Sequence, residues 1–177
     1  MANINIGDAA HQFELSGVDG HSYGLHDLSR GKEATAVIFM CNHCPYVLAW
    51  LDRLIDIAKD YAGRGVAFAG INSNDAAKYP ADSFEAMKTL SAERGLPFPY
   101  LHDDTQQVAR AYGAVRTPEI FLFDRDLRLR YHGAPDSNYD DPQGAEPYLR
   151  PALDAVLAGR DPQITETPPV GCTVKWK

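Results

Sequence analysis

The strongest structural signal in the chain is the stretch ATAVIFMCNHCP at residues 34–45. Its first seven residues are apolar or β-branched, and a run of that length predicts a strand covered on both faces in a parallel sheet. Residues 46–61 follow with apolar positions three and four apart, and Gly63 stands where a helix would stop. Cys41 and Cys44 therefore lie at the junction between a buried strand and a helix.

This junction suits thiol chemistry. We expect the Cys41 sulfur to lie beside the unpaired N–H groups and the positive dipole end of the helix, which stabilise a thiolate. The two-residue spacing lets the Cys44 thiol reach a mixed disulfide formed by the first cysteine. His43 would favour the thiolate as a cation or hydrogen-bond donor, and Pro45 suits the first helical turn. The sequence thus predicts that Cys41 attacks and Cys44 resolves.

The rest of the pattern predicts alternating strands and helices with a hairpin at each end of the sheet. This gives an α/β fold of three layers, in which a mixed central sheet lies between helices and carries an added N-terminal β-hairpin. Besides the strand at 34–40 and the helix at 46–61, we expect a hairpin at 13–23, a strand at 66–72, a helix at 83–94 capped by Asp82, a strand at 100–102, a helix at 106–112, a hairpin of 119–123 and 127–131, and a helix at 146–158.

Size and composition limit the classes of function. The chain has 177 residues and a net charge of −7, so we expect a single domain at 1–177, with 160–177 as an extended C-terminal tail. The negative charge disfavours nucleic acid and anionic lipid as partners. The sequence has no apolar run of membrane-spanning length and no basic start followed by an apolar stretch. We therefore expect a cytoplasmic protein without nucleic-acid or membrane partners.

Three cysteines are too few for a disulfide framework, which favours a catalytic or metal role for the close pair. In a zinc site, Cys172 or a histidine among His21, His26 and His43 would join the pair. The sequence has no second Cys-x-x-Cys to complete such a site, so we expect no metal and no cofactor beyond the redox-active disulfide of the pair. Cys172 is either a small buried hydrophobe or a third redox thiol, which could exchange with Cys44 if the tail folds back over the site.

A strand ending in Cys-x-x-Cys-Pro, a further βα repeat and Thr117-Pro118 before a hairpin resemble the redoxin branch of the thioredoxin superfamily. This branch includes the alkyl hydroperoxide reductase and thiol-specific antioxidant domains. The resemblance covers nearly the whole chain, including the Cys-Asn-His-Cys sequence and the Gly-Cys-x-x-Lys-Trp tail, and it implies a thioredoxin fold. It also implies a cis bond before Pro118, with Pro118 facing the cysteine pair and the Thr117 backbone pairing with a bound substrate strand.

The same resemblance points to two departures from the known families. Thioredoxins keep a buried acid in the strand before the pair, but the corresponding position here is about Thr35, which cannot titrate. Glu119 and His43 are the substitutes we consider for a proton relay. Peroxiredoxins hold peroxide with an arginine and with a threonine three residues before the reactive cysteine. Aligning Cys44 with that cysteine puts Cys41 in the place of the threonine, which argues against efficient peroxidase chemistry.

These features predict a thiol:disulfide oxidoreductase in which Cys41 attacks, Cys44 releases the product, and Thr117 and Pro118 position the substrate backbone. Its substrates would be protein or low-molecular-weight disulfides, and its electron donor a thioredoxin-type reductase system. We expect a monomer or a weak homodimer. Two alternatives stay open. One is an antioxidant thiol peroxidase, for which Arg116 is close in sequence to the position of the peroxide-binding arginine. The other is a module that senses redox state or metal through its thiols.

Overall fold

Strands and helices alternate along the chain in the computed structural model, which describes residues 3–177. A single 3-10 turn, Pro80–Asp82, precedes the third helix. In chain order the elements are β1 (Glu14–Gly17), β2 (Ser22–Gly24), α1 (Leu25–Ser29), β3 (Ala34–Phe39), α2 (Pro45–Ala62), β4 (Val66–Asn72), α3 (Phe84–Arg94), β5 (Tyr100–His102), α4 (Gln107–Tyr112), β6 (Arg116–Thr117), β7 (Glu119–Asp124), β8 (Leu129–Gly133), α5 (Leu149–Leu157) and β9 (Cys172–Thr173).

Seven of these strands form one mixed sheet in the order β2-β1-β5-β4-β3-β7-β8, and β6 pairs with β9 in a separate two-stranded sheet. The strand that leads to the cysteines, β3, pairs in parallel with β4 and antiparallel with β7. All six of its residues are buried, which confirms the predicted strand covered on both faces. The hairpin of β1 and β2 extends the sheet through β5, as the sequence predicts.

Helices cover both faces of the sheet. On one face α2, α3 and α5 contribute Leu54, Met87 and Leu153 to a single apolar cluster. On the other face α1 and α4 contribute Leu25 and Tyr112 to a second cluster. The predicted three-layer α/β arrangement is therefore confirmed. Within the described residues, no helix combines the length and the apolar character that crossing a membrane requires.

Two predictions about local structure are wrong. Ser83, not Asp82, caps α3, because the Ser83 hydroxyl accepts a hydrogen bond from the Ala86 N–H at 3.1 Å. The Asp82 side chain turns into the interior instead. The second strand of the late hairpin begins at Leu129, because Leu127 adopts a left-handed backbone conformation with φ of 56° and belongs to the turn.

The final helix begins three residues later than predicted, at Leu149, because Pro147 forms a β-bridge with Asp136 before the helix starts. The extended segment that follows packs against the body of the protein. His132 in β8 exchanges backbone hydrogen bonds of 3.0 Å with Thr165 and Thr167. Further along, this segment forms β9. The short elements α1, β6 and β9 were not predicted, since two to five residues carry too little periodicity to be recognised.

The two leucines of α2 provide a test of this packing. Leu54 is 1% exposed and Leu48 is 38% exposed. We expect Leu54→Ala to lower the free energy of unfolding by about 2–5 kcal/mol, because it leaves a cavity beneath the helix. Leu48→Ala, the matched control, should change it by less than about 0.5 kcal/mol. Urea denaturation measures both values, and equal losses would contradict the orientation of α2.

Candidate active site

The two cysteines lie between the end of β3 and the start of α2. Cys44 is the N-cap residue of α2, and Pro45 takes the first helical position, as the sequence predicts. Cys41 lies at the other end of the Cys-Asn-His-Cys turn, and both cysteines are buried. The structure therefore differs from the prediction that the Cys41 sulfur lies at the helix N-terminus. That position belongs to Cys44.

Thr117 faces both cysteines from β6. Its hydroxyl oxygen lies 3.6 Å from the Cys41 sulfur, and its carbonyl oxygen lies 3.4 Å from the Cys44 sulfur. The bond between Thr117 and Pro118 is cis, as the resemblance implies. The structure thus brings the predicted Thr-Pro segment to the predicted cysteine pair, although 73 residues separate Cys44 from Thr117.

Hydrogen-bond donors converge on the Cys44 sulfur. The Cys41 thiol lowers the Cys44 pKa most, and the Cys172 thiol, the Val47 N–H in the first turn of α2 and the Cys172 N–H lower it further. Burial opposes them, but the net effect lowers the pKa of Cys44 to about 4. The lowered pKa favours the thiolate form of Cys44. The Thr117 carbonyl is the acceptor that its thiol would use when protonated.

The surroundings of Cys41 favour its protonated form. Its pKa is raised above the ordinary thiol value, first by the hydrogen bond it donates to Cys44, then by burial and by the negative charge of Asp82. Two sulfurs this close share one proton, and the surrounding groups determine which sulfur keeps it. These shifts favour a thiolate on Cys44, whereas the sequence predicts it on Cys41.

A buried carboxylate beside the pair was not recognised as a site residue from the sequence. Asp82 is 0% exposed, and three N–H groups donate hydrogen bonds to it. The Asn42 backbone donates to Oδ1 at 2.7 Å, and the side-chain amides of Asn72 and Asn74 donate at 3.3 and 2.9 Å. Asp82 thus connects the Cys-Asn-His-Cys turn to the end of β4. Its charge raises the pKa of Cys41.

A signal for this carboxylate exists in the sequence. Residues 72–75, Asn-Ser-Asn-Asp, end a buried strand that runs parallel to the strand bearing the cysteines. The carboxyl ends of parallel neighbours meet at one edge of a sheet, and functional groups collect there. The polar cluster at 72–75 thus marks the place where a buried charge can be solvated, but it does not reveal that Asp82 supplies the charge.

His43 lies beside Asp82. The imidazole Nδ1 is 2.6 Å from Asp82 Oδ2, and the side chain is 33% exposed. The ring stacks parallel to Tyr79 with centroids 6.0 Å apart. A nitrogen of His43 and an oxygen of Asp82 both lie within 4.8 Å of the Cys41 sulfur. The structure therefore places His43 next to the pair, as predicted, but directs Nδ1 at the carboxylate.

The trio of Cys41, His43 and Asp82 has the residue types of a metal site, and its ligand atoms lie within 4.8 Å of one another. Two ligands of one tetrahedral zinc ion are separated by roughly 3.4 Å, whereas Nδ1 and Oδ2 are 2.6 Å apart. The amides that donate to the carboxylate also occupy the oxygens an ion would need. This geometry favours a proton shared between His43 and Asp82 over a metal ion bound by both residues. His21, His26 and Cys172 are not part of the trio.

Glu119, considered as a proton relay, is engaged elsewhere. One carboxylate oxygen accepts hydrogen bonds from the backbone N–H groups of Val115 and Arg116 at 2.7 and 3.0 Å. The other lies 2.7 Å from Nε2 of His132, whose ring stacks on Phe121. Glu119 therefore holds the segment that leads into β6. Its contribution to the site is to fix the position of the Thr-Pro segment.

The third cysteine lies at the site. Cys172 pairs with Thr117 across the antiparallel strands β6 and β9, and its side chain packs against the apolar cluster that contains Cys41 and Cys44. Burial, followed by the hydrogen bond to Cys44, raises the pKa of Cys172 to about 11. Arg116, the residue considered for peroxide binding, donates from Nη1 to the Gly171 carbonyl at 3.3 Å. All three cysteines of the chain therefore meet in one place.

A mixed α/β sheet whose central strand leads to the cysteine pair, with helices on both faces and a cis Thr-Pro bond across from the pair, is the arrangement of the thioredoxin-like proteins. The fold of this chain is thioredoxin-like. Within that class, residues 6–132 match the AhpC/TSA family, and the chain belongs to this family. The resemblance seen in the sequence is thus confirmed at the level of the fold and the family.

Individual proteins show similarity over different lengths. The thiol-disulfide oxidoreductase ResA of Geobacillus thermodenitrificans is 29% identical over 130 residues, which cover 72% of this chain and 68% of that protein. A crystal structure of an uncharacterized conserved protein from Geobacillus kaustophilus is 44% identical, with a TM-score of 0.91, and the match covers 99% of this chain and 95% of that one. The lipoprotein thioredoxin Etrx1 of Streptococcus pneumoniae is 25% identical, with a TM-score of 0.59 and coverage of 73% and 93%.

The assignment of the thiolate to Cys44 can be tested by titration. Because the pKa of Cys44 is lowered to about 4, the ultraviolet absorbance of one thiolate should be present at neutral pH and disappear as the pH falls through that value. Cys44→Ser should abolish this transition. Cys41→Ala should move its midpoint upward, since the Cys41 thiol is the main cause of the lowering. A transition that survives Cys44→Ser but not Cys41→Ala would assign the thiolate to Cys41.

Replacement of the buried carboxylate tests its structural and electrostatic roles together. Asp82→Asn should lower the free energy of unfolding by about 1–3 kcal/mol, because donors of the network lose an acceptor. It should also lower the pKa of Cys41, since the charge of Asp82 raises it. Asp56→Asn, which removes the same charge from an exposed position of α2, is the control. Urea denaturation and alkylation rates against pH measure the two effects, and identical behaviour of both variants would contradict the proposed network.

Proposed function

We propose that the protein is a thiol:disulfide oxidoreductase that uses Cys41 and Cys44 as a dithiol/disulfide couple on protein or low-molecular-weight disulfides. The observation that carries this proposal is a pair of cysteines buried in one site, with Cys44 as the N-cap residue of α2 and Thr117 of the cis Thr-Pro segment facing both sulfurs. A nucleophile and a resolving group in contact are what two-step disulfide exchange requires. The curated relatives named thiol-disulfide oxidoreductase support the same class of activity.

The reaction begins at Cys44. Its thiolate attacks one sulfur of a substrate disulfide, a Cys44–substrate disulfide forms, and the other substrate sulfur leaves as a thiolate that takes up a proton. Cys41 then loses its proton and attacks the Cys44 sulfur. This step forms the Cys41–Cys44 disulfide and releases the second substrate thiol. The substrate gains two electrons and the pair loses two, so an external dithiol must restore the reduced pair.

The proton that leaves Cys41 needs an acceptor, because this thiol has a raised pKa. Asp82 and His43 are the nearest candidates, since their polar atoms lie within 4.8 Å of the Cys41 sulfur. One bridging water or a small movement of the half-exposed imidazole would complete the connection. Proton transfer to this pair also relieves the repulsion between the carboxylate and a developing thiolate. We therefore assign proton transfer to His43 and Asp82, and not to Glu119.

Thr117 and Pro118 have a positioning role in the proposed reaction. The Thr117 carbonyl and hydroxyl face the two sulfurs, so an extended substrate that pairs with β6 would bring its own sulfur to Cys44. An electron donor of the thioredoxin-reductase type, a monomeric or weakly dimeric state and a cytoplasmic location complete the proposal. These three points rest on the sequence alone.

Reduction of insulin disulfides with dithiothreitol as the electron donor tests the activity. Wild-type protein should accelerate the reaction, and Cys44→Ser should reduce the rate to that of the donor alone, because the attacking thiolate is lost. Cys41→Ser should stop after the first step and accumulate a mixed disulfide on Cys44, which mass spectrometry detects. Asp56→Asn is the control that should retain activity.

Two results would contradict the proposal. A wild-type protein that does not accelerate insulin reduction and does not react with a low-molecular-weight disulfide would exclude this activity. Rapid consumption of hydrogen peroxide by Cys41→Ser, without disulfide reduction by the wild type, would favour the peroxidase instead. Zinc that purifies with the protein in a stoichiometric amount would favour the metal-sensing module.

A further inference from the structure

The end of the chain occupies the edge of the strand that faces the two cysteines. Strand β6 consists of Arg116 and Thr117, and β9 pairs with it in the register Arg116 to Thr173 and Thr117 to Cys172. Thr117 contacts both sulfurs of the pair. Any strand that pairs with β6 therefore places one residue directly at Cys44. In this structure that residue is Cys172, which packs against the apolar cluster that contains Cys44.

We propose that residues 171–177 are a built-in substrate strand, and that Cys172 is a third catalytic thiol which exchanges with the Cys41–Cys44 disulfide at the Cys44 sulfur. This inference rests on the proposed function. It makes the reduced protein a closed form, in which an external substrate has to displace β9 from β6 before it reaches Cys44. Both Cys41 and Cys44 are buried in this form.

Hydrogen bonds hold the segment beyond Cys172 in place. The Val174 N–H donates to the Val115 carbonyl at 2.9 Å. The Lys175 N–H donates to the side chain of Asn74 at 2.9 Å, and the Lys175 carbonyl accepts from the Asp75 N–H at 2.8 Å. Asn74 also donates to Asp82. The segment is thus connected to the same polar network that surrounds the cysteine pair.

Gln106 also holds the C-terminal segment in place. Its buried side-chain amide donates to the Lys175 carbonyl at 2.9 Å, and its amide oxygen accepts from the Lys177 N–H at 3.1 Å. Its backbone has φ of 65°, in the left-handed region that a residue with a side chain rarely adopts. Such a conformation is strained and persists where surrounding contacts over-determine it. The contacts to the C-terminal segment are among those that hold Gln106 in this conformation.

Gly171 allows the close approach of β9. A Cβ atom at this position would overlap the carbonyl oxygen of Thr117, so a residue with a side chain could not lie so close to β6. Arg116 donates to the Gly171 carbonyl and holds the same turn. The Gly-Cys sequence thus fits the surface beside Cys44, and an external strand with a small residue before its cysteine would fit in the same way.

The exchange step conserves electrons. Once the Cys41–Cys44 disulfide has formed, Cys172 loses its proton and its thiolate attacks the Cys44 sulfur. The Cys44–Cys172 bond forms as the Cys41–Cys44 bond breaks, and Cys41 leaves as a thiolate that takes up the proton. Cys172 is oxidised and Cys41 is reduced, so the number of disulfides stays the same and no external oxidant is needed. The product holds β9 covalently on β6 until an external dithiol reduces it.

Disulfide mapping tests the role of Cys172 directly. The reduced full-length variants Cys41→Ser and Cys44→Ser are treated with oxidised glutathione, digested without reductant and analysed by mass spectrometry. Cys41→Ser should form the Cys44–Cys172 disulfide, whereas Cys44→Ser should carry glutathione adducts without a Cys41–Cys172 disulfide. Glutathione adducts alone on Cys41→Ser, or a Cys41–Cys172 disulfide in the other variant, would overturn the proposal.

Substitutions at two glycines test whether β9 closes the site. Gly171→Ala should loosen β9 and raise the alkylation rate of Cys44 by iodoacetamide by at least about tenfold, because the added methyl group overlaps Thr117. Gly63→Ala is the matched control, since a Cβ there meets no atom within 4 Å. Equal rates for the two variants would overturn the closed form.

The two levels of the proposal can fail separately. A wild-type protein that forms no Cys41–Cys44 disulfide and reduces no insulin contradicts the oxidoreductase itself. A protein that does both, while Cys41→Ser forms no Cys44–Cys172 disulfide, contradicts only the role of Cys172.

Discussion

The site depends on one buried negative charge. A carboxylate that is removed from water is tolerated only when hydrogen bonds or opposite charges compensate it, and Asp82 obtains this compensation from the Asn42 backbone and the amides of Asn72 and Asn74. Those donors come from the active-site turn and from the end of β4. The requirement to solvate one charge therefore fixes the turn between the two cysteines relative to the sheet.

The same charge makes the two cysteines unequal. Asp82 lies on the Cys41 side and disfavours a second negative charge there, while the start of α2 and Cys172 supply donors to Cys44. In a symmetric environment either sulfur could hold the shared proton. Here these groups favour the proton on Cys41. The chemical roles of the two thiols are thus determined by residues outside the Cys-x-x-Cys sequence.

The parts of the molecule that the sequence predicted are those with local patterns. The buried strand at 34–40, the following helix and the cysteine pair between them are recognisable because neighbouring residues carry the signal. The hydrogen bonds of Asp82 cannot be recognised in this way, because Asn42, which donates to Asp82 from the active-site turn, lies 40 positions earlier. The position of Cys172 opposite Thr117 depends on two-residue strands that come together only in the folded chain. The attack by Cys44 that we propose depends on both of these distant contacts, whereas the local pattern alone predicts attack by Cys41.

The two-residue pairing of β9 with β6 is weak by itself. Because β9 is part of the same chain, however, it competes with an external strand for β6 at a high local concentration. For a segment on a short connection this effective concentration is on the order of millimolar. An external strand offering only the same contacts to β6 would seldom displace β9. A protein with additional surface contacts would gain access where a peptide would not. An external partner therefore has to bind beside β6 more tightly than the segment at 171–177 does. The selectivity of the protein thus depends on the stability of its own C-terminal strand.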